Sequence, residues 1–433
     1  MKLPTFVKNT TKMKRILIIF YLTCISFSLF AQAGCTDPQA NNYNQNATEN
    51  DGSCTYDHTE LIPQFRTNLA DELEELSGMI SYQNRIFGLA DSGNDAAIFE
   101  FDTITGAIIH TKELIGTENI DWESMTIDDA FVYVGDTGNN KNGNRTDLVI
   151  YRFPIGDLDV DGDIPANHIE RLYYHYENQT NFTELPKNST RFDCESIVSL
   201  GDSIYLFTKD WKKFITRSYS IPKIPGNHTA ILHDSLAVNG IITDATTSGD
   251  TIVILLGSSL FGNSFLEILH DYKGHDVFSG NKRQITVKHN SLGQPESLTL
   301  NANLSGFIGT EAFKVNGVEK KQAIFSYSIL EYLHNPITSL AQAALTKPNL
   351  QIFPNPTNSE NISFTIPKTL RTQPYQLIWC DAKGQILGIT QKNNSDLDSI
   401  IQYPIPKYAK TGQNYLIIQA KKEKYIGAVQ VQK

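Results

Sequence analysis

A chain of 433 residues with 40% hydrophobic and 19% charged content is too long for one compact core and suits two or three domains. The formal charge is −10, but residues 1–33 hold five bases (Lys2, Lys8, Lys12, Lys14, Arg15) and no acid, so beyond them 32 basic residues face 47 acidic ones, a net −15. Phosphate binding needs a basic face, so this balance excludes nucleic acid as an obvious partner, and 19 Tyr and 22 Phe against 4 Met favour strands over long amphipathic helices.

The N-terminus reads as a secretory signal over residues 1–33. Lys12-Met13-Lys14-Arg15 precedes an apolar run from Ile16 to Phe30, and Ala31-Gln32-Ala33 supplies the small residues a signal peptidase needs. The run is about 15 residues, short for a membrane span, and no other segment approaches 18 apolar residues. A lipoprotein signal acylated at Cys35 is the alternative, against which Gln32 stands where an aliphatic residue is wanted.

Cys24 leaves with the signal. Cys35 and Cys54 then bracket a short polar segment, residues 34–57, in an exported chain, which predicts a disulfide. Cys194 and Cys380 fall in different domains and read as buried small hydrophobes. The segment Cys35-Thr36-Asp37-Pro38 … Asp51-Gly52-Ser53-Cys54 resembles a motif recurring in secreted and surface proteins of Bacteroidetes. Asp37, Asn50 and Asp51 are candidate calcium contacts there, although acids on such loops also cap turns.

From Leu73 to Leu330 one pattern returns five times, and it places a β-propeller at 58–333. Its copies open near Glu75, Glu123, Glu195, Asp244 and Glu296, at intervals of 48, 72, 49 and 52 residues. The second runs span 86–91, 131–136, 204–208, 251–258 and 306–310. The third span 97–101, 148–153, 215–221, 265–269 and 323–329. Fourth runs follow only four copies, at 107–114, 169–176, 229–238 and 283–289. The unpartnered strand at 58–66 supplies the missing one and closes the ring, which protects the terminal edges. Five blades result; the long second interval, with its Asp- and Gly-rich loop at 156–167, leaves six as the alternative.

The first strand of a propeller blade lines the channel, so Glu75, Glu123, Glu195, Asp244 and Glu296 are expected to ring one mouth. Asp91, Asp136, Thr208, Ser258 and Thr310 end the adjacent strand on that side. Carboxylates this close repel one another, which raises their pKa values or recruits a cation, and calcium suits such an oxygen ring. Acids that merely accept backbone N–H bonds between blades give the same pattern. Arg145 and Lys209, beside the acids, are candidate ligand-binding bases.

Two stretches are more specific. Asp121-Trp122-Glu123-Ser124-Met125 with Gly135-Asp136-Thr137-Gly138-Asn139, and Asp193-Cys194-Glu195-Ser196-Ile197 with Tyr205-Leu206-Phe207-Thr208-Lys209, join Ala90-Asp91-Ser92-Gly93-Asn94. The chain here resembles a bacterial family of secreted propellers akin to the phytase-like, NHL and WD40-like groups. That resemblance implies the fold but carries no activity. The sequence has no Gly-x-Ser-x-Gly elbow, His-Glu-x-x-His, phosphate loop, Cys-x-x-Cys or dinucleotide fingerprint.

Residues 334–348 read as a linker. The remainder, 349–433, is expected to form a small β-sandwich with strands near 362–366, 375–380, 385–391, 399–403, 415–420 and 425–432. Its entry Phe353-Pro354-Asn355-Pro356, the hairpin Asp381-Ala382-Lys383-Gly384 and Thr411-Gly412 before Tyr415 resemble the type A sorting domain of the type IX secretion system. The resemblance implies passage through the periplasm and outer membrane, with the secretion machinery as partner and a secreted or cell-surface destination. The expected function is binding or scaffolding of a glycan, protein or small molecule. A calcium-dependent phytase-like or esterase-like hydrolase is the alternative.

Overall fold

The computed structural model describes residues 32–432 apart from 260–261, 289–292, 302, 316, 334–349, 351, 367–374, 382–385, 393–399, 407–408, 410 and 420–423. Residues 1–31 of the expected signal, the linker at 334–348 and Gly384 thus lie outside the described residues. No helix among those described is long and apolar enough to cross a membrane.

The chain is all-β. Five antiparallel units of four strands follow one another. Unit one holds Leu76–Tyr82, Arg85–Ala90, Ala97–Phe101 and Ile108–Glu113; unit two holds Trp122–Ile127, Phe131–Asp136, Val149–Pro154 and Glu170–Tyr176. Unit three holds Asp193–Leu200, Ser203–Lys209, Ile215–Pro222 and Gly226–Ala237; unit four holds Gly240–Ser248, Ile252–Ser259, Ser264–His270 and Asn281–Val287. Unit five takes Gln294–Leu298, Ser305–Glu311 and Ala323–Ser328 and is completed by Gln64–Asn68 from the N-terminal side, antiparallel to the Ala323 strand. The second, third and fourth runs read from the sequence lie within three residues of these strands.

Each unit's first strand packs against the first strands on both sides, and Gln294–Leu298 returns to Leu76–Tyr82, so the five innermost strands close a ring. The hydrophobic clusters sit between consecutive units. Phe87 and Ile98 of unit one meet Trp122, Val132 and Val149 of unit two, and Leu69 and Leu76 meet Ile324 where the ring closes. Sheets buried on both faces explain why the strands read as nearly continuous apolar runs. Each fully buried Phe or Leu contributes about 1.5–3 kcal/mol.

Three features depart from the expectation. The closing segment is two strands: Glu60–Leu61 adds in parallel to the outer edge of unit four, and only Gln64–Asn68 closes unit five. Pro63, which has no N–H to donate, separates them. The outer strands of units two and three pair in parallel, Leu172–Tyr176 with Gly226–Ala230, covering two edges at once. The long second interval holds short 3-10 turns at Ile155–Asp159 and Ala166–His168 and a loop at 177–192, with no further sheet among the described residues.

Cys35 and Cys54 are disulfide-bonded, and Cys194 and Cys380 are buried thiols. The stapled segment is docked on unit four: Asn50 Nδ2 donates to Asp271 O (3.2 Å) and to Asn281 Oδ1 (3.0 Å). Its acids cap turns. Asp37 accepts the Gln39 N–H (2.9 Å) and the Tyr56 hydroxyl (2.7 Å), and Asp51 accepts the Ser53 N–H (3.0 Å).

Beyond residue 349, Ile352–Phe353, Asn361–Thr365 and Ile400–Pro404 form one sheet; Tyr375–Asp381, Ile386–Lys392, Gly412–Gln419 and Lys424–Val431 form another. Phe364, Trp379, Leu416 and Val429 share one core. Asn355 of the Phe-Pro-Asn-Pro entry clamps the last strand, donating to Ala428 O and accepting the Gln430 N–H, both at 2.8 Å. Gly412 opens its strand at φ +114°, a backbone region that glycine enters at little cost and other residues avoid.

Candidate cation-binding mouth

In every unit the first strand carries a β-bulge against the second, at the same level of the ring. The residue left without a ladder partner is Ser77, Glu123, Glu195, Thr243 and Glu296 in units one to five. A bulge re-aims its extra side chain. Three of the five expected acids occupy this position. Glu75 and Asp244 do not: Glu75 precedes Ser77 by two residues and is exposed, and Asp244 follows Thr243 and is buried. The equivalents of Asp136 are Ala90, Thr208, Gly257 and Thr310, so Asp91 and Ser258 also stand one place further on.

Carboxylates nonetheless converge. One oxygen each from Asp91, Asp121 and Glu123 lies within 4.8 Å of the others, as do oxygens from Glu123, Asp193 and Glu195. Glu123 is shared between the two groups. Its Oε2 faces the Ser77 hydroxyl (3.4 Å), while Oε1 is buried without a hydrogen-bond partner. Glu195 offers Oε2 to Lys209 Nζ (2.9 Å), and its Oε1 is likewise buried and unpartnered. Asp193 is held by the Asn139 N–H (2.7 Å) and the Trp211 indole N–H (2.8 Å). Gly138 lets its backbone approach the Glu123 and Asp121 carboxylates, where any Cβ would collide with both.

Burial, then the neighbouring charges of Asp91 and Asp193, push Asp121 up to about 7. Burial and Glu195 raise Glu123 well above the carboxylate range, and burial raises Glu195, with Lys209 opposing. Glu311, which accepts from Gln294 (3.2 Å), is pushed by burial and Glu296 up to about 9. Burial also raises Asp91 and Glu296. Lys209 is shifted upward, because the surrounding carboxylates, Glu195 and Glu296 foremost, outweigh the burial that would lower it.

The two candidate ligand-binding bases are committed elsewhere. Lys209 is buried among the acids and lies over the Trp211 ring, 4.6 Å from its centroid. Arg145 pairs with Asp136 (2.8 Å) and Asp147 (3.0 Å) and donates to Gly138 O. Asp136 therefore belongs to this pair and to the Asp121 N–H (3.1 Å), and to neither carboxylate group. Asp244 is a staple: it accepts the Ser124 hydroxyl (2.8 Å) from unit two and the Leu298 N–H (2.7 Å) from unit five. Glu296 accepts from Gln294 (2.7 Å).

Sequence reasoning missed Asp121 and Asp193. The signal was present, since each stands two places before a bulge glutamate in Asp-Trp-Glu-Ser and Asp-Cys-Glu-Ser. The opposite end of the ring holds acids too, around a cavity of about 830 Å³ lined by Asp128, Asp202 and Asp250. There Asp128 caps the Ala130 and Phe131 N–H groups and pairs with Lys223, and Asp250 accepts the Gly201 N–H. Only at the first mouth do buried acidic oxygens among the described residues lie unpartnered and clustered together.

No family model matches the sequence, and no curated protein is similar to it at a significant level. Among solved structures, the chain is similar to the PQQ-bound aldose sugar dehydrogenase of Streptomyces coelicolor (8% identity, 61% of this chain and 96% of that one, TM-score 0.36). It is similar to the GH32 β-fructofuranosidase BmSUC1 of Bombyx mori (10% identity, 86% and 88%, TM-score 0.34). A third likeness is to the WD40 β-propeller domain of Doa1 (9% identity, 58% and 78%, TM-score 0.27).

Proposed function

We propose that the protein is an exported binding module: a five-bladed β-propeller whose acidic mouth takes a divalent cation, calcium foremost, and presents it to a ligand. The carrying observation is the pair of buried, unpartnered oxygens, Glu123 Oε1 and Glu195 Oε1, in one cluster with Asp193. A buried anionic oxygen without a partner is costly, and a hard cation with oxygen ligands removes that cost. Asp91 and Asp121 extend the donor set on the other side of Glu123. Lys209 already neutralises part of the charge, which suits one divalent ion rather than several.

Calcium titration followed by thermal melting tests this reading. At a calcium concentration near 100 times Kd the bound ion adds about 2.7 kcal/mol, which raises the melting temperature by roughly 5–10 °C. The Glu123→Gln/Glu195→Gln double variant is expected to lose the calcium shift. Absence of a shift in the wild type would sink the proposal.

The export reading rests on the signal-like N-terminus and on the resemblance of 349–433, a small β-sandwich in this reading, to a type A sorting domain. It predicts that a chain ending at 348 accumulates in the periplasm of a producing cell, while the full chain reaches the surface or medium. Equal surface delivery of both chains would overturn it.

A hydrolase reading is favoured by one observation, the Asp121 carboxyl, which burial and the Asp91 and Asp193 charges push up to about 7 in the ion-free mouth, a range suited to proton exchange. Calcium-dependent turnover of phosphate or ester substrates that collapses in Asp121→Asn would select it over the binding module.

A further inference from the structure

A second pocket of opposite sign lies on the same face as the acidic mouth. It is a cavity of about 330 Å³ between three loops: 137–148 after the second strand of unit two, 177–192 before unit three, and 210–214 after the second strand of unit three. That volume is at the lower end of ordinary small-molecule sites.

The walls are held in place. Leu185 and Asn188 donate their N–H groups to Asn142 O and Asn140 O, both at 2.8 Å, and Gln179 Nε2 reaches Gly143 O (3.2 Å). Gly143 sits at φ +66° against Thr190 and Leu185. Asp210, buried at the base, accepts the Lys212 and Lys213 N–H groups (3.0 and 2.9 Å) and the Arg217 guanidinium (2.8 Å), so its charge is spent within the wall.

What remains facing the cavity is cationic. Arg191, Lys212 and Lys213 all line it, and none has a carboxylate within ion-pair distance among the described residues. In a chain at net −15 beyond residue 33, three uncompensated bases around one cavity set it apart from the acidic mouth beside it. Asn178, Asn181 and Thr183 line it as well; the amide oxygens already accept from the Tyr219 hydroxyl (3.1 Å) and the Thr183 N–H (2.9 Å), so the amides offer their NH2 groups as donors and Thr183 its hydroxyl. Cations placed among amide and hydroxyl groups match a ring that carries oxyanions and hydroxyls together.

We propose that this pocket binds an anionic saccharide, with sulfate or carboxylate groups paired to Arg191, Lys212 and Lys213 and ring hydroxyls to Asn178, Asn181 and Thr183. The site is separate from the carboxylate mouth, although Trp211, next to Lys212, adjoins both through its bond to Asp193.

The experiment is calorimetric titration of the full chain, in chelator so that the mouth holds no calcium, with a sulfated heparin-type disaccharide. The unsulfated disaccharide and inorganic sulfate run alongside. Saturable binding of the sulfated sugar is expected, weakened by salt, with both comparison probes at least about tenfold weaker. Lys212→Glu/Lys213→Glu is expected to lose at least about tenfold in affinity while keeping the calcium-dependent melting shift, and Arg191→Ala to lose affinity more modestly. No saturable binding, or full affinity in the double variant, would overturn the site. Equal binding of sulfate alone, or of the unsulfated sugar, would overturn its assignment to an anionic saccharide.

Discussion

Asp244→Ala is expected to destabilise the fold by about 3 kcal/mol or more, the largest effect of any single acid in the ring. The side chain is fully buried and bridges three units: it stands in unit four, accepts the Ser124 hydroxyl from unit two and caps the Leu298 N–H of unit five. Alanine leaves a buried amide and a buried hydroxyl without an acceptor, each costing about 1–3 kcal/mol. Ser124 also accepts the Ile197 N–H of unit three (3.2 Å), so the same staple reaches a fourth unit. Ser124→Ala should therefore destabilise as well, and the two substitutions together should cost less than their sum. Denaturant melts of the two single variants and the double variant measure this. An Asp244→Ala protein within about 0.5 kcal/mol of wild type, the range of ordinary surface changes, would refute the staple. The calcium-induced shift should survive, because Asp244 belongs to neither carboxylate group.

Stability in chelator is expected to peak at about pH 4 and to fall steadily towards pH 9. The sign follows from the raised pKa values. Asp121, moved from 3.8 to about 7, binds its proton in the native state over a range where the unfolded chain has lost it. Its stabilising contribution is complete below about pH 4 and is lost as pH rises to about 7. Glu311, moved from 4.5 to about 9, extends the loss to higher pH, and Glu123 and Glu195 act in the same direction. Carboxylates with lowered pKa values, such as the turn caps Asp102, Asp128 and Asp210, run the other way: their contribution is present above about pH 4 and lost on acidification. The two sets cross at about pH 4. Calcium binds the deprotonated mouth, so its melting shift should grow from pH 5 to pH 8 and offset the decline. Melting curves across this range, with chelator and with calcium, read both effects. A flat profile in chelator between pH 5 and pH 8 would contradict the buried-carboxylate picture.

Much of the architecture is written locally. The apolar runs at 131–136 and 97–101 coincide with strands residue for residue, because a strand buried on both faces has no alternation to blur its ends. The disulfide between Cys35 and Cys54 was legible in the spacing of the two cysteines behind a signal-like N-terminus. The missing fourth run of the last unit pointed to the N-terminal segment as the source of the closing strand, but Pro63 divides that segment and only its last part, Gln64–Asn68, closes the ring.

The site was legible in kind but not in register. Acid-Ser pairs at Glu123, Glu195 and Glu296 mark the bulge correctly, since bulge and residue type recur together. Glu75 and Asp244 mislead, because a one-residue bulge shifts what counts as equivalent and the unit-one and unit-four positions hold Ser77 and Thr243 instead. The sequence by itself determined an all-β repeat, its strand boundaries, its net acidity and which residue types recur. These depend on side chains interacting with near neighbours in the chain. Tertiary structure alone decided that Asp121 and Asp193 join Glu123 and Glu195, that Lys209 lies buried among them, and that Asp244 ties units two, four and five together. Those outcomes depend on ring closure, which brings residues more than 100 positions apart into hydrogen-bonding distance and sets the burial that turns scattered acids into one coupled cluster.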